Sequence, residues 1–488
     1  MRPLLDHLLS YKNGIEASDQ LEAALEEAIK RTLQDNTFRV QLGASDDYWK
    51  LHNAAFLTLS QDTNEQCVIN LIKLTRNVVA GEYENQKLAI QYGALYKIEE
   101  LLAEKIASPS NNTTILQVCT QAICNMITNN ATAIDFIWKV WMSNEKRGSV
   151  WSYMLSKSDA TLIMSTLVLI VNCIRGSRER CDLLVSRKMG QDIIAAILGD
   201  IERLHGNEQD KNFELGYTVI SELITFGHFN TLYQHVDDAS DKNPVSDHQV
   251  ILLKLLDSKI HAHQKEQTFP TFIQHEELEF LTVQLNLIGK EALRVIVQVK
   301  ENASQLQPDQ IANVYTAIVL LLQILNELFV LDEDHGQGAK SLLVNADALT
   351  LVTDMLGHLE TLKTPAPTTT PATSQNEDTD PQAGFHFLKR ECVRMMGTMC
   401  YKDKTMQDKI RQLGGIPLVL CQFKIDDSNP YLREYATVAL RNIMENNPEN
   451  QKLIEELKPE QVVETDELRQ MGIVPELTHD GKLRIKRP

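Results

Sequence analysis

The sequence reads RNVVAGEYENQKL over residues 76–88 and RNIMENNPENQKL over residues 441–453. In both stretches an Arg-Asn pair ends an apolar helical pattern, a polar turn follows, and Glu-Asn-Gln-Lys-Leu opens another helix. Such an internal repeat predicts a chain of stacked, similar supersecondary units, each of which buries its apolar face against its neighbours.

The spacing of the repeat identifies its type. From Asn77 to Asn125 is 48 residues, from Asn125 to Asn172 is 47, and from Gly397 to Asn442 is 45. Armadillo and HEAT arrays repeat at roughly 40–47 residues, whereas ankyrin and tetratricopeptide repeats are shorter. The period therefore favours an all-α fold of the armadillo or HEAT type.

Each unit resolves into three helices, the first short, the second opened by a glycine turn, and the third long and apolar. Gly93, Gly190 and Gly414 mark that turn, because glycine readily takes the positive φ that ends one helix and redirects the chain. Asn429 is predicted to cap the last third helix, with Pro430 in its first turn. Three helices and a Gly-Gly-Ile-Pro turn favour an armadillo-like α-solenoid over a two-helix HEAT array.

Length and charge narrow the function classes. The chain has 488 residues and a formal net charge of −18, too long for one core of at most about 300 residues. An acidic protein is poorly suited to binding phosphate backbones or anionic membrane surfaces.

The apolar windows at residues 161–171 and 314–325 fall short of the ~18 residues of a membrane span. Eight cysteines without a CxxC pair indicate reduced core thiols and a cytoplasmic protein.

Composition shifts divide the chain into four parts. Residues 1–362 are predicted to form N-terminal and central armadillo-like repeats, and residues 363–384 a disordered Thr/Pro-rich insertion. Residues 385–458 form further repeats. Residues 459–488 form a tail with a possible short β-hairpin, signalled by Asp-Gly between alternating residues.

Residues 390–458 resemble the C-terminal domain of the ataxin-10 family, in the form found in fungal homologues. The resemblance is carried by ECVR at 391–394, QLGGIPL at 412–418, DDSNPYLREY at 426–435 and ALRNIMENN at 439–447. It implies a non-catalytic, cytoplasmic, armadillo-like protein linked to cell division, particularly cytokinesis. That role follows from the resemblance alone, because nothing in the periodicity points to cytokinesis.

Four asparagines, Asn77, Asn125, Asn172 and Asn442, recur near the ends of the third helices and form one candidate site. On a concave face, such a ladder of amides could pair with the backbone of an extended cargo peptide, which would make the protein a peptide adaptor. Alternatively, each asparagine bonds a neighbouring repeat or caps a helix. The tryptophan that accompanies asparagine in peptide-binding armadillo proteins is absent one turn earlier.

Charged residues on the last long helix form a second candidate protein-binding site, together with Asn429. Arg433, Glu434, Arg441 and Asn442 could form a docking surface, or they could lock the terminal repeats together.

No spacing in the sequence defines a catalytic, metal or cofactor site, so we expect no cofactor. The expected partners are other proteins with complementary basic patches, not nucleic acid or membrane, and a homo-oligomer stays open.

Overall fold

The structure is a computed structural model that describes most of the chain. It does not describe residues 60–63, 109–111, 144, 205–206, 208, 238–243, 301–307, 334–335, 362–384, 425–428, 430, 457–473, 478–482 and 487–488. The side chains of residues 145–148, 308–310, 385–386, 474–477 and 483–486 are also outside the description. The predicted insertion at 363–384 therefore lies outside the described residues and stays a prediction.

The chain forms two compact units. The first comprises Met1–Ala239, Ser246–Lys259 and Pro270–Gln274, and the second comprises Ser240–Val245, Ile260–Phe269 and His275–Pro488. One helix, α16 (Asp247–Glu266), contributes to both units.

Fifteen helices precede α16 among the residues described in the first unit. They are α1 (Arg2–Lys12), α2 (Ser18–Gln34), α3 (Asn36–Gly43), α4 (Asp46–Leu59), α5 (Glu65–Val79), α6 (Tyr83–Gln91), α7 (Ala94–Ala107), α8 (Thr113–Ile127), α9 (Ala131–Met142), α10 (Glu145–Leu155), α11 (Ala160–Ile174), α12 (Arg178–Ser186), α13 (Lys188–Arg203), α14 (Lys211–Thr225) and α15 (Phe229–His235).

The second unit continues with α17 (His275–Lys300), α18 (Pro308–Asp332), α19 (Ala339–Asn345), α20 (Ala348–Glu360), α21 (Phe385–Cys400), α22 (Lys404–Gln412), α23 (Gly415–Cys421), α24 (Leu432–Met444) and α25 (Pro448–Glu456). Two strands follow, β1 (Val474–Leu477) and β2 (Leu483–Lys486), which pair antiparallel with Val474 opposite Lys486. The C-terminal hairpin anticipated from the sequence is present.

Triplets of helices repeat within each unit. In the first unit the third helices α5, α8, α11 and α14 pack side by side, and α2 packs on α5. In the second unit α18, α21 and α24 form the same kind of row, with α20 and α23 against their own third helices. The predicted all-α, armadillo-like class is confirmed.

The third helices of the first unit begin at short polar side chains. Asn64, Asn112, Asp159 and Asp210 each accept a hydrogen bond from a backbone N–H in the first turn. These bonds satisfy donors that have no partner inside a helix, so the sequence fixes where each long helix begins.

A left-handed residue lies at the corner between each of these third helices and the next short helix. In four repeats it stands four residues after the repeating asparagine, at Gly81, Asn129, Gly176 and Asn446. Glycine and asparagine adopt this conformation most readily. The corner is therefore encoded together with the asparagine, at a fixed distance from it.

One predicted turn glycine, Gly190, and the predicted helix cap, Asn429, have other roles. Gly190 lies inside α13, where an added Cβ would meet the Leu184 carbonyl oxygen at 1.8 Å. It is needed for a close approach and not for a positive φ, whereas Gly93 and Gly414 have the expected left-handed conformation. Asn429 is not the N-cap of α24, because the helix begins at Leu432 after Tyr431.

The region that lacks a clear repeat in the sequence contains three unusually long helices, α16, α17 and α18, of 20, 26 and 25 residues. Within α18, Ile311–Asp332 is long and apolar enough to cross a membrane by length and composition. Some 61% of its most apolar window is buried in the fold, and core helices of soluble proteins satisfy the same criterion.

The core also contains a cluster of tryptophans and most of the thiols that the sequence predicts to be buried. Trp141 and Trp151 meet edge to face at 4.8 Å, and Trp138 lies 5.8 Å from Trp151. Seven cysteines are buried and Cys421 is exposed. Burial raises the pKa of the Cys173 thiol to about 12, as expected of a packing residue.

Paired glycine substitutions test the packing of the third helices. At Gly397 an added Cβ would lie 2.7 Å from the Ala439 Cα on α24, whereas at Gly357 the nearest neighbouring atom is 3.7 Å away. We expect Gly397→Ala to lower the free energy of unfolding by about 1–3 kcal/mol through overpacking. Gly357→Ala should raise it by up to about 1 kcal/mol through helix propensity. Equal effects in urea denaturation would contradict this packing.

Acid should destabilise the first unit through His52. This side chain is buried in α4 with its Nε2 2.7 Å from the Thr75 hydroxyl, and burial lowers its pKa to about 4. Because an unfolded histidine titrates near 6.5, the unfolded state takes up the proton first as the pH falls. Stability is therefore complete above about pH 6.5 and falls by about 3 kcal/mol towards pH 4. His52→Phe should flatten this slope in urea unfolding, and an unchanged slope would contradict the assignment.

Candidate protein-binding surface

The repeating asparagines join neighbouring third helices. The Asn77 amide donates to Thr32 Oγ1 on α2 at 3.1 Å, and the Asn125 amide donates to the Arg76 carbonyl on α5 at 2.9 Å. Asn172 donates to Thr128 Oγ1, which follows α8, at 3.2 Å.

The same bond recurs in the second unit, where the Asn442 amide donates to the Gly397 carbonyl at 3.0 Å. In all four cases the acceptor lies 44 to 49 residues earlier. These contacts agree with the inter-repeat interpretation of the asparagines. Peptide binding along this ladder stays a prediction.

In two repeats of the first unit, the residue before the asparagine contacts the next third helix. Arg76 donates through Nη1 to Gln121 Oε1 on α8 at 2.6 Å, and Cys124 Sγ lies 3.4 Å from the Ser165 carbonyl on α11. Met396, at the corresponding position of α21, is fully buried. Arg441 holds the same position on α24 and is exposed.

A glutamine in the short helix also reaches forward. Gln86 donates to the carbonyls of Asn125 and Thr128 at 2.8 and 3.3 Å, and Gln407 donates to those of Asn442 and Glu445 at 2.9 and 3.1 Å. In both cases the acceptors are three residues apart at the end of the next third helix.

The third such glutamine, Gln451 in α25, is exposed and donates to the Met444 carbonyl at 2.8 Å. This bond repeats the one from Gln407 to Cys400 within its own repeat. The two forward bonds that Gln407 makes have no counterpart at Gln451 among the described residues.

These observations define one surface, which we call the forward face. It comprises Tyr431, the N-cap of α24, with Glu434, Val438 and Arg441 of α24 and Gln451 of α25. Tyr431 is 64% exposed and Val438 54% exposed. At the position of Val438, α21 has Val393, which is completely buried. Within the described part of the chain no third helix follows α24, so this face retains the character of a repeat interface without a covering helix.

Only part of the charged candidate site is assembled on this face. Glu434 and Arg441 belong to it, and Arg433 is exposed on the same helix. Asn442 is directed back to α21, and Asn429 is buried. Of the five residues proposed from the sequence, the structure therefore groups two on one surface. The sequence analysis did not identify Val438, Tyr431 and Gln451, which belong to the same surface.

The terminal repeats are joined by a polar network that the sequence analysis did not identify. Arg411 donates to Asp408 at 2.8 Å and to Glu449 at 2.6 Å, and the Asn447 amide donates to Asp408 at 2.9 Å. The Asn447 amide and then the Arg411 guanidinium hold the pKa of Asp408 low, at about 2. The Asn450 amide bonds the Gln407 and Ile443 carbonyls.

The repeated Glu-Asn-Gln-Lys-Leu stretch is the sequence pattern that could have predicted this network. Asn85 bonds the Val78 and Arg39 carbonyls just as Asn450 bonds those of Ile443 and Gln407. The repeat that identifies the fold is thus a set of repeated side-chain bonds to helix ends.

The Glu-Cys-Val-Arg stretch has an internal role. Glu391 is buried and accepts from Arg390 Nε at 2.8 Å and from the Asn326 amide of α18 at 3.2 Å. Arg394 lies 3.5 Å from the same carboxylate.

Among the described residues no group of three or more histidine, cysteine or acidic side chains is placed to hold a metal ion.

The C-terminal part of the chain is similar to known proteins. Residues 388–486 match the family model described as the spinocerebellar ataxia type 10 protein domain. The ataxin-10 homolog of Dictyostelium discoideum is 41% identical over 99 residues, covering 20% of this chain and 16% of that protein. The ataxin-10 homolog of Schizosaccharomyces pombe is 38% identical over 99 residues, covering 20% of this chain and 23% of that protein.

A solved structure described as "A conserved phosphorylation switch controls the interaction between cadherin and beta-catenin in vitro and in vivo" is similar over 91% of this chain and 68% of that chain. The identity is 11% and the TM-score is 0.39.

The repeated three-helix units and their interlocked third helices define an armadillo-like helical-repeat protein. Its residues 388–486 match the ataxin-10 domain model, and the predicted resemblance to that family, fungal members included, is confirmed. The matched segments span less than a quarter of the length of these two relatives.

Removal of a ladder asparagine should cost stability. Asn77→Ala deletes the bond to Thr32 and leaves the half-buried Arg76 without the side-chain Oδ1 of Asn77, to which it donates at 3.2 Å. We expect a loss of about 1–3 kcal/mol in the free energy of unfolding. The exposed Arg433→Ala should change it by less than about 0.5 kcal/mol. Similar urea midpoints for the two variants would contradict the inter-repeat role of Asn77.

Proposed function

We propose that this protein is a non-catalytic, cytoplasmic scaffold that binds other proteins through the forward face and acts in cell division, particularly cytokinesis. The cellular role and the absence of catalysis rest on the resemblance of residues 388–486 to ataxin-10. The binding site rests on the structure of α24 and α25.

One observation carries the binding site: Val438 and Arg441 occupy positions that are covered in the preceding repeat but exposed in the last one. Exposed apolar groups next to polar groups are typical of protein interfaces. The surface also lies inside the segment shared with ataxin-10, so a family function could reside there.

The charge of the surface bears on the choice of partner. The net charge of −18 favours partners with basic patches, and Glu434 offers one acidic group for them. Arg441 lies seven residues further along α24 and offers a basic group. A partner of the forward face therefore needs both signs of charge as well as apolar contact.

Matched valine substitutions test the proposal. Val438→Asp places a charge in the forward face, whereas Val330→Asp places one on the similarly exposed Val330 of α18, 49% exposed. Tagged full-length variants are expressed in cells depleted of the native protein, and captured proteins are identified by mass spectrometry. We expect Val438→Asp alone to lose specific partners and to leave division defective.

The proposal fails if Val438→Asp retains every partner of the native protein and restores division as well as Val330→Asp does. Circular dichroism of both purified variants checks that each is folded. Loss of binding by both variants would point to a different site.

A further inference from the structure

The first unit shows how one third helix is held against the preceding one. There α8 packs on α5, with its Gln121 side chain accepting from Arg76 and its last-turn carbonyls accepting from Gln86. The C-terminal ends of α5 and α8 lie together, so the two helices run in the same direction.

The second unit shows the same arrangement with one change. There α24 packs on α21, its last-turn carbonyls accept from Gln407, and the buried Met396 replaces the arginine. The glutamine contact thus recurs on unlike surfaces, which makes it a general way of fixing where a covering helix ends.

The last repeat has both donors. Arg441 corresponds to Arg76 and Gln451 corresponds to Gln86, and both are exposed. Val438 provides apolar surface one turn before Arg441. The forward face therefore presents the donors that hold α8 in the first unit, without a covering helix in the described part of the chain.

We propose that the occupant of the forward face is an amphipathic helix of a partner protein, which extends the row of third helices by one; this inference rests on the proposed function. The partner helix runs parallel to α24 and ends where Gln451 donates to its last-turn carbonyls. On α8, Gln121 lies four residues before Asn125, whose carbonyl is the first acceptor. At the equivalent position the partner helix carries glutamate or glutamine, opposite Arg441.

Charge specifies the other end of the partner helix. Glu434 lies seven residues before Arg441, so a parallel helix places lysine or arginine about two turns before its own glutamate. Apolar residues between these two positions cover Val438. A carboxylate opposite Arg441 is favoured over an amide because both groups of the hydrogen bond are then charged.

The test uses a labelled synthetic peptide as the probe. It has the sequence of residues 112–129 with Cys119→Ala and Cys124→Ala for stability in air and Thr114→Lys to face Glu434. One version carries Gln121→Glu and the other Gln121→Lys. Fluorescence anisotropy measures the binding of each version to the full-length protein and its variants.

We expect the Gln121→Glu peptide to bind the native chain about tenfold more tightly than the Gln121→Lys peptide. Arg441→Glu should reverse this preference, and Gln451→Ala should weaken both peptides. Arg433→Glu, an equal change of charge on the same helix, should preserve the original order. Reversal by a single charge exchange identifies Arg441 as a direct contact, because loss of folding would weaken both peptides alike.

Three results would overturn the inference: no binding of either peptide, a preference insensitive to Arg441→Glu, or equal effects at Arg433 and Arg441. Light scattering that shows an oligomer dissociated by Val438→Asp would assign the face to a second copy. Binding that appears only after cleavage at a protease site inserted behind Glu456 would assign it to the chain's own residues 457–488. If cellular partners still require Val438 while the peptides fail, the proposed function stands and the helical occupant is rejected.

Discussion

The structure depends on the close lateral packing of one third helix against the next. Gly397 lies so near Ala439 that no side chain fits between them, and a backbone approach of this kind is possible only for small residues. The asparagine at the corresponding place in other repeats donates back to the preceding helix, as Asn125 does to the Arg76 carbonyl. Apolar burial supplies the driving force and these amides fix the register.

This packing has a direction. In the repeats of α5 and α8 the asparagine bonds backwards, the residue before it contacts the next third helix, and a left-handed residue four positions later starts the next short helix. The two sides of a repeat are therefore chemically different, and the side left at the end of a row differs from the side at its beginning. In the last repeat, Arg441 and Gln451 belong to the forward-facing set, which is why this end carries donors suited to a further helix.

Sequence reasoning reached the helix class, the period and the asparagine positions, because all of these are local patterns repeated at a fixed spacing. It failed where the role of a residue depends on its neighbours in space. Gly190 was assigned to a turn, but its role comes from the Leu184 carbonyl beside it. The repeat was lost around α16 to α18 because helices of 20 to 26 residues break the common length. Val438 looks like any core valine until the absence of a covering third helix in the described chain is known.

The chemistry of the exposed end also explains how such a surface can exist in a free protein. A repeat interface made only of apolar groups would, without a covering helix, expose a hydrophobic patch that promotes aggregation. On the forward face, one long polar side chain replaces an apolar one, since Arg441 stands where α21 has Met396. Water can satisfy the donors of the exposed Arg441 in the free state. A helix without acceptors would leave those donors desolvated and unpaired, at a cost that rejects it. The same groups that keep the face soluble therefore select the helix that can bind it.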